Sequence, residues 1–169
     1  MALIGEDDRQ YLTERFNQDL EKDVTIEFFS YGSYHTPEAV AAAADIETLN
    51  DSDDVTSEAC RVSKQIYDEL AEINQHIKVV FHDLDTPEGQ QTAASAGVDA
   101  SMLPAALYQS DSLAGQSRFY GIPSGYEFGT LVENLIDLSK GRTNLSQKTQ
   151  DSLANLDKPA RVLVFVTPT

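Results

Sequence analysis

Apolar residues that recur every three or four positions predict helices in several parts of the chain. These parts are residues 5–20, a short alanine-rich run after Pro37, and residues 57–73, 86–98, 124–141 and 143–159. Thr36 is the predicted N-cap of the alanine-rich helix, and Thr56 or Ser57 is that of the helix over 57–73. The alanine-rich helix and the acidic loop after it, residues 33 to about 55, are interpreted as an insertion.

Short runs of β-branched and aromatic residues predict strands between these helices. The runs are residues 24–31, 76–85, 103–109, 117–122 and 162–166. Two of them flank a glycine-containing turn and predict an antiparallel hairpin, whereas strands separated by a helix are expected to be parallel. The prediction is an α/β thioredoxin-like fold, a mixed four-stranded sheet flanked by helices, with an extra N-terminal helix and an extra C-terminal strand. Glu27 lies within the first strand, where its side chain must face solvent or be paired.

Charge narrows the classes of partner. The chain has 28 Asp and Glu against 12 Lys and Arg, a net charge of −16. Such a surface repels phosphate backbones and anionic lipid, so nucleic acid and membranes are not expected as partners. The charge has two explanations, an ordinary acidic surface or a halophilic protein adapted to a salt-rich cytosol, and the second is favoured.

The N-terminus has neither the basic start nor the apolar stretch of a secretory signal. No apolar run approaches the roughly 18 residues that cross a bilayer. The sequence therefore predicts a soluble, cytoplasmic protein.

The chain contains one cysteine, Cys60, so it cannot form an intramolecular disulfide within these 169 residues. A cysteine-rich zinc site is excluded for the same reason, and His35, His76 and His82 do not share metal-ligand spacing with a cysteine. The prediction is that the protein uses no metal and no other cofactor.

Four segments carry a resemblance to a known family: "HDLDTPEG" (82–89), "RFYGIPSGYEF" (118–128), "TNLS" (143–146) and "RVLVFVTPT" (161–169). With them the chain resembles the N-terminal half of the archaeal glutaredoxin-like protein disulfide oxidoreductases, which contain two thioredoxin-fold units in tandem. The resemblance implies a first unit over 1–140 with the insertion at about 33–55. It also implies that 141–169 is a linker helix and the first strand of a truncated second unit, whose CxxC motif would follow.

The resemblance also indicates a degenerate active site. Counting back without gaps from "DLDTPEG" aligns Cys60 with the second cysteine of the family's first CxxC motif and Ser57 with the first. A serine cannot form a disulfide, so this catalytic pair is incomplete. Cys60 is then either a small buried helix residue or a monothiol that forms mixed disulfides. Pro104 matches the family's cis-proline, and Leu103 before it matches the residue whose backbone binds a peptide substrate.

Three functions follow as hypotheses. The adopted one is the N-terminal unit of a protein disulfide oxidoreductase, structural or substrate-positioning in itself, whose full-length form acts on protein or small-thiol disulfides. The alternatives are a peptide-binding module without redox chemistry, and a monothiol enzyme that handles glutathione, with Ser57 at a helix N-terminus and Arg61 near the tripeptide. The strand over 161–166 is expected to pair with another copy, giving a homodimer, or to pack on the first unit.

Overall fold

A four-stranded sheet organises the chain. The computed structural model describes residues 2–43, 52–158, 160 and 162–166. In chain order the elements are α1 Glu6–Asp19, β1 Val24–Ser30, α2 Pro37–Ala43, α3 Ser52–Ile73, β2 Ile77–Asp83, α4 Pro87–Ala96, β3 Ala105–Ser110, β4 Leu113–Tyr120, α5 Tyr126–Lys140 and α6 Gln147–Ala154. Short 3₁₀ turns occur at Gly32–His35 and Ala100–Met102.

The strands lie in the order β2-β1-β3-β4. β1 pairs with β2 in parallel and with β3 antiparallel, and β3 and β4 form the predicted antiparallel hairpin. The helix α4 connects β2 to the hairpin. Because β1 is parallel to β2 and antiparallel to β3, the strands on either side of α4 run in opposite directions, so the expectation that strands separated by a helix are parallel holds for β1 and β2 and is wrong for β2 and β3. The mixed, helix-flanked sheet confirms the predicted fold class.

Each face of the sheet has its own core. On one face Ile26 and Phe28 of β1 and Tyr108 of β3 are buried against α1, α3 and α5. The N-terminal helix α1 contributes Leu12 and Phe16 to this layer, which is why the helix belongs to the fold. The other face holds a smaller cluster, in which side chains of β1 and β3 pack against α4 and against Cys60 of α3.

Glu27 of β1 is paired. Its carboxylate lies 3.4 Å from Nε2 of His82 on β2, and it accepts a hydrogen bond from the Gln109 amide on β3. The His82 ring is stacked on Phe29, with 4.6 Å between the ring centroids. These contacts across three strands let a central strand carry a charged residue.

Helix α3 differs from the prediction at its start. It begins at Ser52, so neither Thr56 nor Ser57 is its N-cap. In the sequence, Ser52 and the two aspartates after it are residue types that favour a first helical turn, and they lengthen the helix toward the insertion. The predicted insertion is described at its beginning, as a 3₁₀ turn and α2, whereas residues 44–51 lie outside the described residues.

The predicted C-terminal strand is not formed. Residues 162–166 have no regular secondary structure, and their side chains are 57% to 87% exposed. An apolar run becomes a strand only where a neighbour completes its backbone hydrogen bonds, and no described element pairs with this run. Helix α6 before it is also exposed throughout nearly its whole length.

The N-terminal segment is fastened to α3 by one buried carboxylate. The backbone N–H groups of Leu3 and Ile4 each donate to Glu69 at 2.8 Å, and the Gln65 amide donates at 2.8 Å. Burial by itself raises the pKa of Glu69, but these hydrogen bonds and the charge of Arg9 outweigh it and leave the pKa below its ordinary value.

Replacing Glu69 is therefore expected to have a pH-dependent cost. Because the folded-state pKa is lowered, the ionised carboxylate stabilises the fold above the ordinary pKa of about 4.3, and this contribution is lost as pH falls through the folded-state pKa. The free energy of unfolding of Glu69→Gln should lie below that of the wild type at neutral pH, and the gap should close in acid. The control is Glu72→Gln on the same helix, whose side chain is 67% exposed and forms only a surface ion pair with Arg9. A gap that stays constant from neutral pH into acid would contradict this role.

A second prediction concerns the approach of α4 to β2. A Cβ atom on Gly89 would lie 1.9 Å from the backbone oxygen of Asp83, so Gly89→Ala must displace the helix. The free energy of unfolding of this variant, measured by chemical denaturation, is expected to be lower than that of the wild type by about 1–3 kcal/mol or more. Gly129→Ala in α5 is the matched control: no other atom lies within 4 Å, and alanine should stabilise the helix by about 1 kcal/mol. Equal stabilities for the two variants would refute the close contact.

Candidate functional site

The residues aligned with the family's active site meet at one end of the sheet. Cys60 and Leu103 belong to the same buried cluster, together with Phe29 at the end of β1. Ser57 is 8% exposed and lies one helical turn before Cys60 on α3. The structure therefore places Cys60 and Leu103 in the same buried cluster, with Ser57 one helical turn before Cys60.

The Cys60 thiol is sealed from solvent. The residue has no exposed surface and packs among apolar side chains. Burial raises the pKa of the thiol, and the opposing effects of a hydrogen bond with Ser30 and the charge of Arg61 are smaller. Because the thiolate is the nucleophile in disulfide exchange, this environment keeps Cys60 unreactive.

The cover over Cys60 is the segment 31–36, which includes the start of the predicted insertion. Tyr31 and Tyr34 pack against the cluster that contains Cys60, with 5.3 Å between their ring centroids. The backbone N–H groups of Gly32 and Ser33 donate to Asp83 and Asp85 at the end of β2, each at 2.7 Å. A Cβ on Gly32 would lie 2.4 Å from Oδ2 of Asp83, so any larger residue would require the Asp83 carboxylate to shift.

A hydrogen-bonded chain that sequence reasoning missed links this segment to Cys60. His35 Nε2 is 3.0 Å from the hydroxyl oxygen of Ser30, which is fully buried and is in turn hydrogen-bonded to Cys60. Burial lowers the pKa of His35, and the charges of Lys64 and Arg61 lower it further, so its imidazole is held neutral. The sequence assigns His35 no role in a site, because this residue does not share metal-ligand spacing with a cysteine.

Ser57 is placed differently from the prediction made for the glutathione hypothesis. It lies inside α3, beyond the first turn, and the favourable effect of a helix N-terminus on an anion falls off within that turn. The Arg61 guanidinium group already forms three hydrogen bonds. It donates to the Glu58 carboxylate from Nε at 3.1 Å and from Nη2 at 2.8 Å, and it donates to the Tyr34 backbone oxygen from Nη1 at 3.2 Å. Neither residue is arranged to receive an incoming thiolate or carboxylate.

The Leu103–Pro104 peptide bond is cis. Both residues are buried, and the Pro104 oxygen accepts a hydrogen bond of 2.9 Å from the backbone N–H of Gly121. The neighbours of this bond are more open: Met102 is 49% exposed and Ile122 is 37% exposed. Met102 precedes Leu103 in the chain and Ile122 follows Gly121, and these two exposed apolar side chains are called the apolar strip.

The described residues contain no group of three or more His, Cys, Asp or Glu side chains that could hold a metal ion. In the same part of the chain, every helix is too short or too polar to span a bilayer.

Comparisons with known proteins identify the fold. No protein-family model and no curated protein matches the chain. A protein disulfide oxidoreductase from Aeropyrum pernix is 18% identical, with a TM-score of 0.66 over 92% of this chain and 56% of that one. Two structures of the alkylhydroperoxide reductase AhpF from Enterococcus faecalis, one of a mutant and one of its N-terminal domain, are 21% identical, with a TM-score of 0.63 over 91% of this chain and 61% of those chains. The chain thus has a thioredoxin-like fold and spans little more than half the length of each of these proteins.

The cover over Cys60 can be tested by its effect on alkylation. In the wild type, iodoacetamide should modify Cys60 only as fast as the segment 31–36 opens. Tyr34→Ala removes one of the two covering rings and is expected to raise the rate roughly tenfold, because it favours local opening. The control is Tyr126→Ala, since Tyr126 is 80% exposed. The alkylation rates are measured by mass spectrometry. Equal rates in all three proteins would show that the segment 31–36 does not limit access to the thiol.

Proposed function

We propose that this chain is the first, non-redox unit of a protein disulfide oxidoreductase built from tandem thioredoxin-like units. Thiol–disulfide exchange is carried out by a dithiol beyond these 169 residues, and the unit itself is structural and positions the substrate. The observation that carries the proposal is that Cys60, the one cysteine in these 169 residues, is fully buried. Ser57 occupies the position that aligns with the other cysteine of the CxxC motif. The quoted motifs and the shared fold support the family assignment.

The chemistry of exchange explains why one thiol is insufficient. An exposed thiolate attacks a substrate disulfide, one substrate sulfur leaves as a thiolate, and a mixed disulfide forms. A second thiolate of the enzyme then attacks the mixed disulfide, which releases the reduced substrate and leaves the enzyme oxidised. The hydroxyl of Ser57 cannot replace either thiol, because oxygen forms no disulfide and is a weak nucleophile without an adjacent base.

Substrate positioning is supported by the apolar strip of Met102 and Ile122. Apolar side chains beside an exposed chain segment are a common means of holding an unfolded peptide. In this proposal the partners are proteins with disulfides, or small-thiol disulfides, that a dithiol of the second unit reduces or oxidises. The same strip favours the second candidate, a peptide-binding module without redox chemistry. The segment 31–36 limits that candidate, because it occupies the space over Cys60 where a bound peptide would cross.

The remaining regions take their roles from the same proposal. Residues 1–140 form the first unit, and 141–169 contain a linker helix and the first strand of a second unit. The exposed apolar side chains of residues 162–166 are then covered by the sheet of that second unit. The proposed setting is a salt-rich cytoplasm, for which the net charge of −16 is the support, in an archaeal cell, which the family resemblance implies.

The glutathione-handling alternative is not favoured. It requires an accessible Cys60, a helix N-terminus at Ser57 and a free cation nearby. Cys60 is fully buried, α3 begins at Ser52, and Arg61 is bonded to Glu58.

The proposed function predicts that this chain of 169 residues does not catalyse the reduction of insulin by dithiothreitol. The turbidity trace of the wild type should match that of Cys60→Ser and that of the uncatalysed reaction. Catalysis that is lost in Cys60→Ser would refute the proposal.

A further variant tests whether a second thiol is enough to restore activity, or whether the arrangement of the site also prevents it. Ser57→Cys restores the CxxC sequence, but both thiols then lie within one helix under the segment 31–36, and Cβ atoms three positions apart on a helix are about 5–6 Å apart, farther than a disulfide permits. No gain of activity is expected. Full activity of Ser57→Cys would show that the sulfur alone was lost and that the described cover is not a barrier.

A further inference from the structure

The side chain of His35 connects the segment 31–36 to the sheet that it covers. Its Nε2 atom is hydrogen-bonded to the Ser30 hydroxyl at the end of β1, at 3.0 Å. The Ser30 side chain is fully buried and is also hydrogen-bonded to Cys60. One imidazole ring therefore joins the cover to a central strand and, through a single hydroxyl group, to the thiol beneath it.

The surroundings of this ring suit a neutral imidazole better than a cation. The ring packs on two phenyl rings, with 6.3 Å between its centroid and that of Phe28 and 5.4 Å to that of Phe81. A cation over an aromatic face is favourable, but the Phe81 ring already has Lys64 Nζ at 5.8 Å from its centroid. The positive charges of Lys64 and Arg61 on α3 both oppose a further positive charge on His35. Protonation of the ring in this position therefore costs free energy.

The carboxylates near the ring offset only part of this cost. Asp68 on α3 and Asp83 at the end of β2 favour the protonated form, but burial and the two cations outweigh them and keep the pKa of His35 below its ordinary value. Asp83 already accepts a backbone N–H of the segment at 2.7 Å, and Asp68 accepts from Lys64 Nζ at 2.6 Å. Glu38, the charged residue of the adjoining α2, is exposed. The ring in place is therefore neutral at neutral pH.

We propose that His35 is a pH-sensitive switch that controls access to Cys60. While the ring is neutral, the segment 31–36 stays closed over the thiol. A protonated ring carries two N–H donors and a charge, which water satisfies better than the site beside Lys64 and Arg61 does. The ring then leaves its position and the segment opens with it. The switch acts on access to the thiol alone, so it does not depend on a dithiol beyond these 169 residues.

The direction of the pH dependence follows from the two states of the ring. In the open state the ring is in water and has the ordinary pKa of about 6.5, whereas in the closed state the pKa of His35 is lower. The closed state therefore has its full stability above the ordinary pKa and loses it as pH falls toward the closed-state pKa. Between these two values, the equilibrium constant for opening should increase by about tenfold for each pH unit.

The test is the rate at which Cys60 reacts with dithiodipyridine, a disulfide that stays reactive toward thiols in acid, from about pH 8 to about pH 5. The thiol attacks one sulfur of the reagent, a mixed disulfide forms, and thiopyridone leaves with the proton. Dividing each rate by that of the chain unfolded in urea at the same pH gives the equilibrium constant for opening. In the wild type this constant should be flat above about pH 6.5 and rise by about tenfold per pH unit below it.

Two histidine variants assign the dependence to one ring. His35→Gln keeps an amide that can bond to Ser30 but cannot take up a proton, so its opening constant should be independent of pH. His76→Gln is the matched control, because His76 is bonded to Asp23 in an exposed ion pair and should not affect the cover. This control should show the pH dependence of the wild type.

Three results would overturn the proposal. The first is an opening constant of the wild type that stays flat into acid. The second is a dependence that persists in His35→Gln, since the titrating groups would then be Asp83 and Asp85, or the whole chain would unfold. The third comes from an NMR titration of the wild type, which does not rely on the folding of a variant: the His35 ring should titrate in the pH interval in which the opening constant changes. Titration of this ring where the constant is flat would separate the two events.

Discussion

Two hydrogen bonds from backbone N–H groups to carboxylates, Gly32 to Asp83 and Ser33 to Asp85, hold the segment 31–36 against the end of β2. The rest of the site depends on this attachment, because the segment brings two tyrosine rings over Cys60 and removes the thiol from water. Once the thiol is buried, its pKa rises and the thiolate needed for exchange is disfavoured. The segment at the beginning of the predicted insertion therefore has a definite physical effect, which is to remove the Cys60 thiol from solvent.

Much of the fold was predictable because its signals are local. The alternation in β1, the helical spacing in α5 and the glycine turn of the hairpin are each read within about 15 residues, and together they fix a mixed sheet. The exceptions depended on distant residues. Glu27 is paired only because His82 and Gln109 lie on the neighbouring strands. The run over 162–166 has the composition of a strand, but composition supplies no partner for its backbone.

The candidate site, like the fold, could be predicted from the sequence only in part. The motif resemblance named Ser57, Cys60, Leu103 and Pro104. Cys60 and Leu103 lie in one buried cluster and the Leu103–Pro104 bond is cis, whereas the role of these residues stays a prediction. Burial was not predictable from the motif, because the residues that cover Cys60 belong to an insertion that the motif does not include. The start of α3 was misplaced because Thr56 and Ser57 are residue types that favour an N-cap, whereas the helix already begins at Ser52. Ser57 consequently lies within a helix, where the dipole argument for an activated thiol does not apply.

In the proposed function, this unit supports the redox chemistry of a second unit without performing it. The most direct measurement is the intact mass of the chain after incubation in glutathione buffers that range from fully reducing to fully oxidising. The account predicts one mass throughout, that of the unmodified protein, because Cys60 has no thiol partner and no access to solvent. A glutathione adduct on Cys60 that appears in the folded protein as the buffer becomes oxidising would contradict it.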